Sequence, residues 1–312
     1  MKTLFFEAQA KRIKILLAAF ISLLSLVSFV GCAAPPQAPR INGGVIQVVA
    51  GEDFWGSIAS QLGGAHAHVI SIISNPNVDP HEYESSTANA RAFAAANYII
   101  LNGAGYDTWG QKLLDANPVS GRKLLAVADL LGKKAGDNPH FWYNPDYVSR
   151  VIDQITKDYQ SLDPQDAEYF SQQKSDFENA LSQYHQVIAS IKQAYSGVKV
   201  GSTESIFVYM AGALGLDLIS PSGFMTAVSQ GNDPPASAVV EFQQQLTGKQ
   251  IAILVYNKQT MTAITTNIQK LAAANGIPAV GISETVAPAG ATFQDWQVKQ
   301  LQALQNALKS SR

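Results

Sequence analysis

The chain has 312 residues, 46% hydrophobic and 15% charged, with a formal net charge of −2. That length suits about two domains, the composition excludes wholesale disorder, and the near-neutral charge gives no electrostatic footprint for nucleic acid. The only cysteine is Cys32, which excludes an internal disulfide.

In chain order the first element reads as an export signal. Lys2, Lys11, Arg12 and Lys14 precede an apolar run from Ile15 to Val30, the order of charged and hydrophobic parts in a signal peptide. The run is short against the roughly 20 apolar residues that a spanning helix needs. Phe29-Val30-Gly31-Cys32 resembles a bacterial lipobox, with phenylalanine where leucine is usual. That resemblance implies removal of residues 1–31, lipidation of Cys32 and anchoring to the cell membrane. An uncleaved anchor is the other reading, and both place the folded part outside the cytoplasm. Residues 32–44, rich in Ala, Pro and Gly, read as a tether.

From Val45 onward strand and helix patterns alternate. Strands are expected over 45–50, 69–74, 98–101 and 123–127, with helices over 54–62, 88–96 and 108–116. A helical pattern over 145–159 is followed by one long helix from Asp163-Pro164 to about Tyr195. Tyr169, Phe177, Leu181, Tyr184, Ile188 and Ile191 form its apolar stripe, and no Gly or Pro interrupts it. Alternation then resumes, with strands over 198–201, 217–219, 251–256 and 279–282, and helices over 206–214, 236–245, 262–274 and 293–308. The expectation is an α/β protein with two similar parallel-sheet halves, 45–160 and 197–312, joined by a long helix over 161–196.

Two of the five histidines sit in suggestive settings. Asp79-Pro80-His81-Glu82-Tyr83 follows the second expected strand, and Asn138-Pro139-His140-Phe141-Trp142 lies beyond the fourth. In each, a proline fixes the backbone just before the imidazole, which lowers the entropy lost when that ring is held. These two blocks, with Thr203-Glu204-Ser205-Ile206-Phe207-Val208-Tyr209, resemble the metal-binding solute-binding proteins of ABC importers for zinc, manganese and iron. The resemblance runs from Val45 to the end. It implies two four-stranded domains, a rigid connecting helix and a metal held in the interdomain cleft. It places the ligands at His81, His140, Glu204 and Glu284, where zinc-type members carry histidine at the third place and most members carry aspartate at the fourth. It also implies a permease as partner, a membrane reached through the N-terminal lipid, no nucleic acid, and a monomer.

Chemistry supports the same set. All four residues follow expected strands, and ligands of open α/β sheets bind at the carboxyl ends of strands. Two neutral imidazoles and two carboxylates sum to minus two, matching a divalent cation. Oxygen-rich ligation favours Mn2+, while Zn2+ binds nearly any such site more tightly by the general affinity order. A closed ligand set suits capture of the metal as cargo, with no catalytic residue expected. Two other readings remain open: a surface adhesin with a structural metal, and a zinc hydrolase, for which neither HExxH nor GxSxG is present. Glu204 could instead serve the helix start that follows it. His66 and His68 read as surface residues and His185 as part of a polar helix face.

Overall fold

The computed structural model describes residues 41, 44–77, 80 and 83–311. Cys32, the expected signal segment and His81 lie outside the described residues. Among those described, no helix is long and apolar enough to cross a membrane.

Two four-stranded, all-parallel sheets form the frame. The first comprises β1 (Ile46–Glu52), β2 (Ala67–Ile73), β3 (Tyr98–Leu101) and β4 (Lys123–Ala126), in the order β2-β1-β3-β4. The second comprises β5 (Lys199–Ser202), β6 (Asp217–Leu218), β7 (Leu254–Asn257) and β8 (Ala279–Ile282), in the equivalent order β6-β5-β7-β8. The central strands are apolar on both faces, as parallel strands covered by helices must be: all four residues of β3 are buried, and so are six of seven in β1. Edge strand β2 instead exposes alternate residues, His68 and Ile70.

The covering helices of the first half are α1 (Asp53–Gly63), α2 (Thr87–Ala95), α3 (Thr108–Ala116), α4 (Val127–Leu131) and α5 (Pro145–Leu162). Asn144 caps α5, its Oδ1 accepting from the N–H groups of Asp146 and Tyr147, and Pro145 takes the first helical position, where its missing N–H is harmless. The expected long helix is present as two segments, α6 (Ala167–Ala180) and α7 (Ser182–Tyr195), separated only by Leu181 with ψ −7°. The break falls where the rod changes partners: α6 packs on α1 and α5, whereas α7 packs on the last helix of the chain. The second half adds α8 (Val208–Ala213), α9 (Ser222–Ser229), α10 (Ala236–Thr247), α11 (Ala263–Ala274) and α12 (Phe293–Ser310).

Two helices were not anticipated. α4 starts directly after β4 with no turn between, so its first residue reads as strand, and it ends at Gly132 with φ 68°. α9 is a single apolar, β-branched-containing stretch whose Phe224 packs edge-on against Phe242 of α10. Both sheets share a large core in which Phe54 stacks on Trp142 at 3.8 Å and Trp142 meets Tyr106 edge-on, which packs the carboxyl end of the first sheet under the loop at 138–143.

Candidate metal centre

His140, Glu204 and Glu284 converge at the carboxyl ends of the two sheets. His140 precedes a 3-10 turn over Phe141–Tyr143, Glu204 stands two residues past β5, and Glu284 two past β8. All three are fully buried. Nε2 of His140 lies 3.3 Å from Oε1 of Glu204 and 4.0 Å from Oε2 of Glu284. One donor atom from each residue falls within 4.8 Å of the other two, a span that one cation can bridge.

The ring of His140 is oriented by its neighbour. Asn138 donates its amide N–H to the Ser205 carbonyl at 2.8 Å, so its Oδ1 faces His140 Nδ1 at 2.7 Å. Nδ1 therefore carries the hydrogen, and Nε2 is the nitrogen turned to the carboxylates. The two carboxylates are joined by Asn257 at the end of β7, whose amide nitrogen donates to Glu204 Oε2 and Glu284 Oε1, each at 2.6 Å. Thr260 adds a donor to Glu204 Oε2 at 2.8 Å, and the Tyr106 hydroxyl donates to Glu284 Oε2 at 2.5 Å. Burial would raise the Glu204 carboxyl, but the His140 ring and the hydrogen bonds from Asn257 and Thr260 outweigh it and hold the group below the usual carboxylate range. With Oε2 so engaged, Glu204 presents Oε1, which accepts no hydrogen bond among the described residues, to His140.

Residues 48–307 match the model of the family described as zinc-uptake complex component A, periplasmic (ZnuA). The chain belongs to the ZnuA family of solute-binding proteins for metal ABC transporters. It is 21% identical over 254 residues to the manganese-binding lipoprotein MntA of Halalkalibacterium halodurans, covering 79% of this chain and 83% of MntA. Its fold is like that of the solute-binding protein FpvC from Pseudomonas aeruginosa in complex with Mn2+, with a TM-score of 0.70, 16% identity, and coverage of 86% of this chain and 100% of FpvC. The laminin-binding adhesin Lmb of Streptococcus agalactiae is also alike in fold, with a TM-score of 0.68, 18% identity, and coverage of 84% and 99%.

In this ZnuA-family chain the loop carrying Glu284 is held from both sides. Tyr143 donates to the Ser283 carbonyl at 2.8 Å, and both Asp53 oxygens accept from the Val286 N–H at 3.1 Å, all reaching across from the first half. Gln259 Oε1 accepts from the Glu284 N–H at 2.6 Å, from the second half. A cleft of about 320 Å³, lined in part by Gly105, Tyr106, Asn138, Ser205 and Gln230, opens beside the cluster.

A second group of acids lies behind the first. Glu52 ends β1 fully buried, and among the described residues neither of its oxygens accepts a hydrogen bond. Burial, with the nearby charges of Asp107, Asp53 and Glu284, pushes its carboxyl well up. Burial raises Asp53 to about 7 against the backbone N–H groups that favour its charge. Asp107 is also raised by burial, although it accepts from the N–H groups of Asn102 and Gly103.

Sequence reasoning missed Asn257, Thr260, Tyr106 and the acid group. A polar residue closing an otherwise apolar strand, as Asn257 and Glu52 do, was the available signal. His66, read from the sequence as a surface residue, is one-third exposed, and its Nδ1 lies 2.7 Å from Asp166 Oδ2.

Proposed function

We propose that this protein captures a divalent transition metal between its two halves and delivers it to the permease of an ABC importer, with Mn2+ favoured and Zn2+ close behind. The observation that carries this is the buried meeting of His140, Glu204 and Glu284 around one point, with Asn257 bonded to both carboxylates. His81 supplies the second imidazole. Two ligands then come from the lobe 45–160 and two from the lobe 197–312, so parting the lobes divides the set and weakens the hold on the cargo. Two carboxylates favour manganese by hardness, and the similarity to MntA points the same way. Every donor belongs to the chain, which suits capture over catalysis, and no catalytic role is assigned. The likeness to Lmb is one of fold and does not by itself favour adhesion.

Metal analysis of protein purified without chelator, followed by competitive titration of Mn2+ against Zn2+, tests the reading. One equivalent of tightly held metal is expected. Glu204→His should lower manganese affinity by a large factor while zinc affinity holds. If neither ion binds, or if Glu204→His leaves both unchanged, the cleft is not the site. Residues 1–31 are proposed to be removed and Cys32 lipidated, so Cys32→Ser should move the protein from membrane to soluble fractions.

A further inference from the structure

A second cluster of metal-ligating groups lies at the opposite end of the first sheet. His66 closes a 3-10 turn, Gly64–His66, immediately before β2 begins, whereas the cleft lies where the parallel strands end. Asp163 and Asp166 flank the turn between α5 and α6. Donor atoms of His66, Asp163 and Asp166 all fall within 4.8 Å of one another.

Three features set this cluster apart from a surface ion pair. Asp163 is only 4% exposed, and among the described residues its Oδ2 has no hydrogen-bond partner. A buried carboxylate oxygen left so is costly unless a cation or donor meets it. Secondly, Asp163 and Asp166 stand at helix-start positions, where aspartate ordinarily accepts from backbone N–H groups. Neither makes such a cap among the described residues. Thirdly, the His66 ring is held in place. Tyr169 lies against it at 4.2 Å, Phe170 meets it edge-on at 6.0 Å, and the Tyr169 hydroxyl accepts from the Ala65 N–H at 2.9 Å.

We propose that His66, Asp163 and Asp166 form a second divalent-cation site, separate from the cleft, that pins the start of the linking rod to the first sheet. One imidazole nitrogen and two carboxylate oxygens bring a charge of minus two and leave further positions for water, a set suited to zinc or cobalt. The cation would replace the 2.7 Å contact between His66 and Asp166, spreading the pair to about 3.3 Å, the edge of a tetrahedron with bonds of about 2.0 Å. Because binding favours the folded chain, it should raise the melting temperature.

The test uses the full chain, stripped with chelator and titrated with Zn2+ alone. Two equivalents are expected for the unaltered protein. Glu204→Ala, which cripples the cleft, should retain one equivalent and a zinc-dependent rise in melting temperature. Adding His66→Ala or Asp163→Asn to Glu204→Ala should weaken that remaining site at least tenfold and abolish the rise. Asp163→Asn also removes a buried charge, so its metal-free melting temperature should not fall, and the part-exposed His66 provides an independent variant. The proposal is overturned if Glu204→Ala binds no zinc, or if His66→Ala leaves the stoichiometry and melting shift of Glu204→Ala unchanged. If the unaltered protein binds only one equivalent, and Glu204→Ala keeps it while His66→Ala loses it, the transport reading fails and this one stands.

Discussion

Glu204 and Glu52 are both fully buried carboxyls at strand ends, yet they are pushed in opposite directions. Glu204 meets an imidazole, an amide and a hydroxyl, and is held below the usual range. Glu52 meets other acids, accepts no hydrogen bond among the described residues, and is raised. Burial is common to the two, so the converging donors decide which one keeps its charge. Negative charge is thus favoured beside His140 and suppressed one layer behind.

The contrast can be broken most severely at Glu204. Glu204→Ala should weaken manganese and zinc binding by more than the roughly 10- to 100-fold that loss of an outer partner costs, read by calorimetric titration. Asn257→Leu removes the shared donor without touching a ligand, and should fall inside that range of about 10- to 100-fold. An affinity equal to the unaltered protein's would mean that Asn257 does not position the carboxylates.

A gentler probe is the pH dependence of metal-free stability. A carboxyl raised in the fold binds its proton more tightly than in the unfolded chain. Asp53, raised from 3.8 to about 7, therefore contributes a loss of stability as pH climbs across that window. Asp53→Asn should flatten that part of the melting-temperature profile. Glu204, being lowered, contributes in the other sense: its stabilisation is present above the ordinary carboxylate range and is lost as acid protonates it. The smallest effect is expected for Glu52→Gln, which exchanges a neutral acid for a neutral amide of the same shape. At pH 7 its melting temperature should stay near that of the unaltered protein, whereas a marked rise would show that Glu52 carries charge.

Strand and helix periodicity made the two-sheet frame legible, because each central strand is a short apolar run and each covering helix has one apolar face. Local signals were weaker where tertiary contact takes over. α4 follows β4 without punctuation, and the break at Leu181 answers to a change of packing partner that lies far away in sequence. His140 and Glu204 stood out through the blocks around them. The donors that govern the carboxylates did not, since Asn257 and Tyr106 acquire meaning only when β7 and the loop after β3 are brought beside Glu284.

The interruption at Leu181 also has a mechanical side. The segment α7 beyond it has 14 residues, so as a stiff rod it is about 21 Å long. A tilt of about 5° at its base sweeps the far end through about 2 Å, roughly one metal–ligand bond length. Leu181 stands at the changeover between partners with helical hydrogen bonds on both sides, its N–H donating to the Phe177 carbonyl and its carbonyl accepting from the His185 N–H. A small change of tilt at that point would thus be amplified, at the rod's far end, to the scale of a metal–ligand bond.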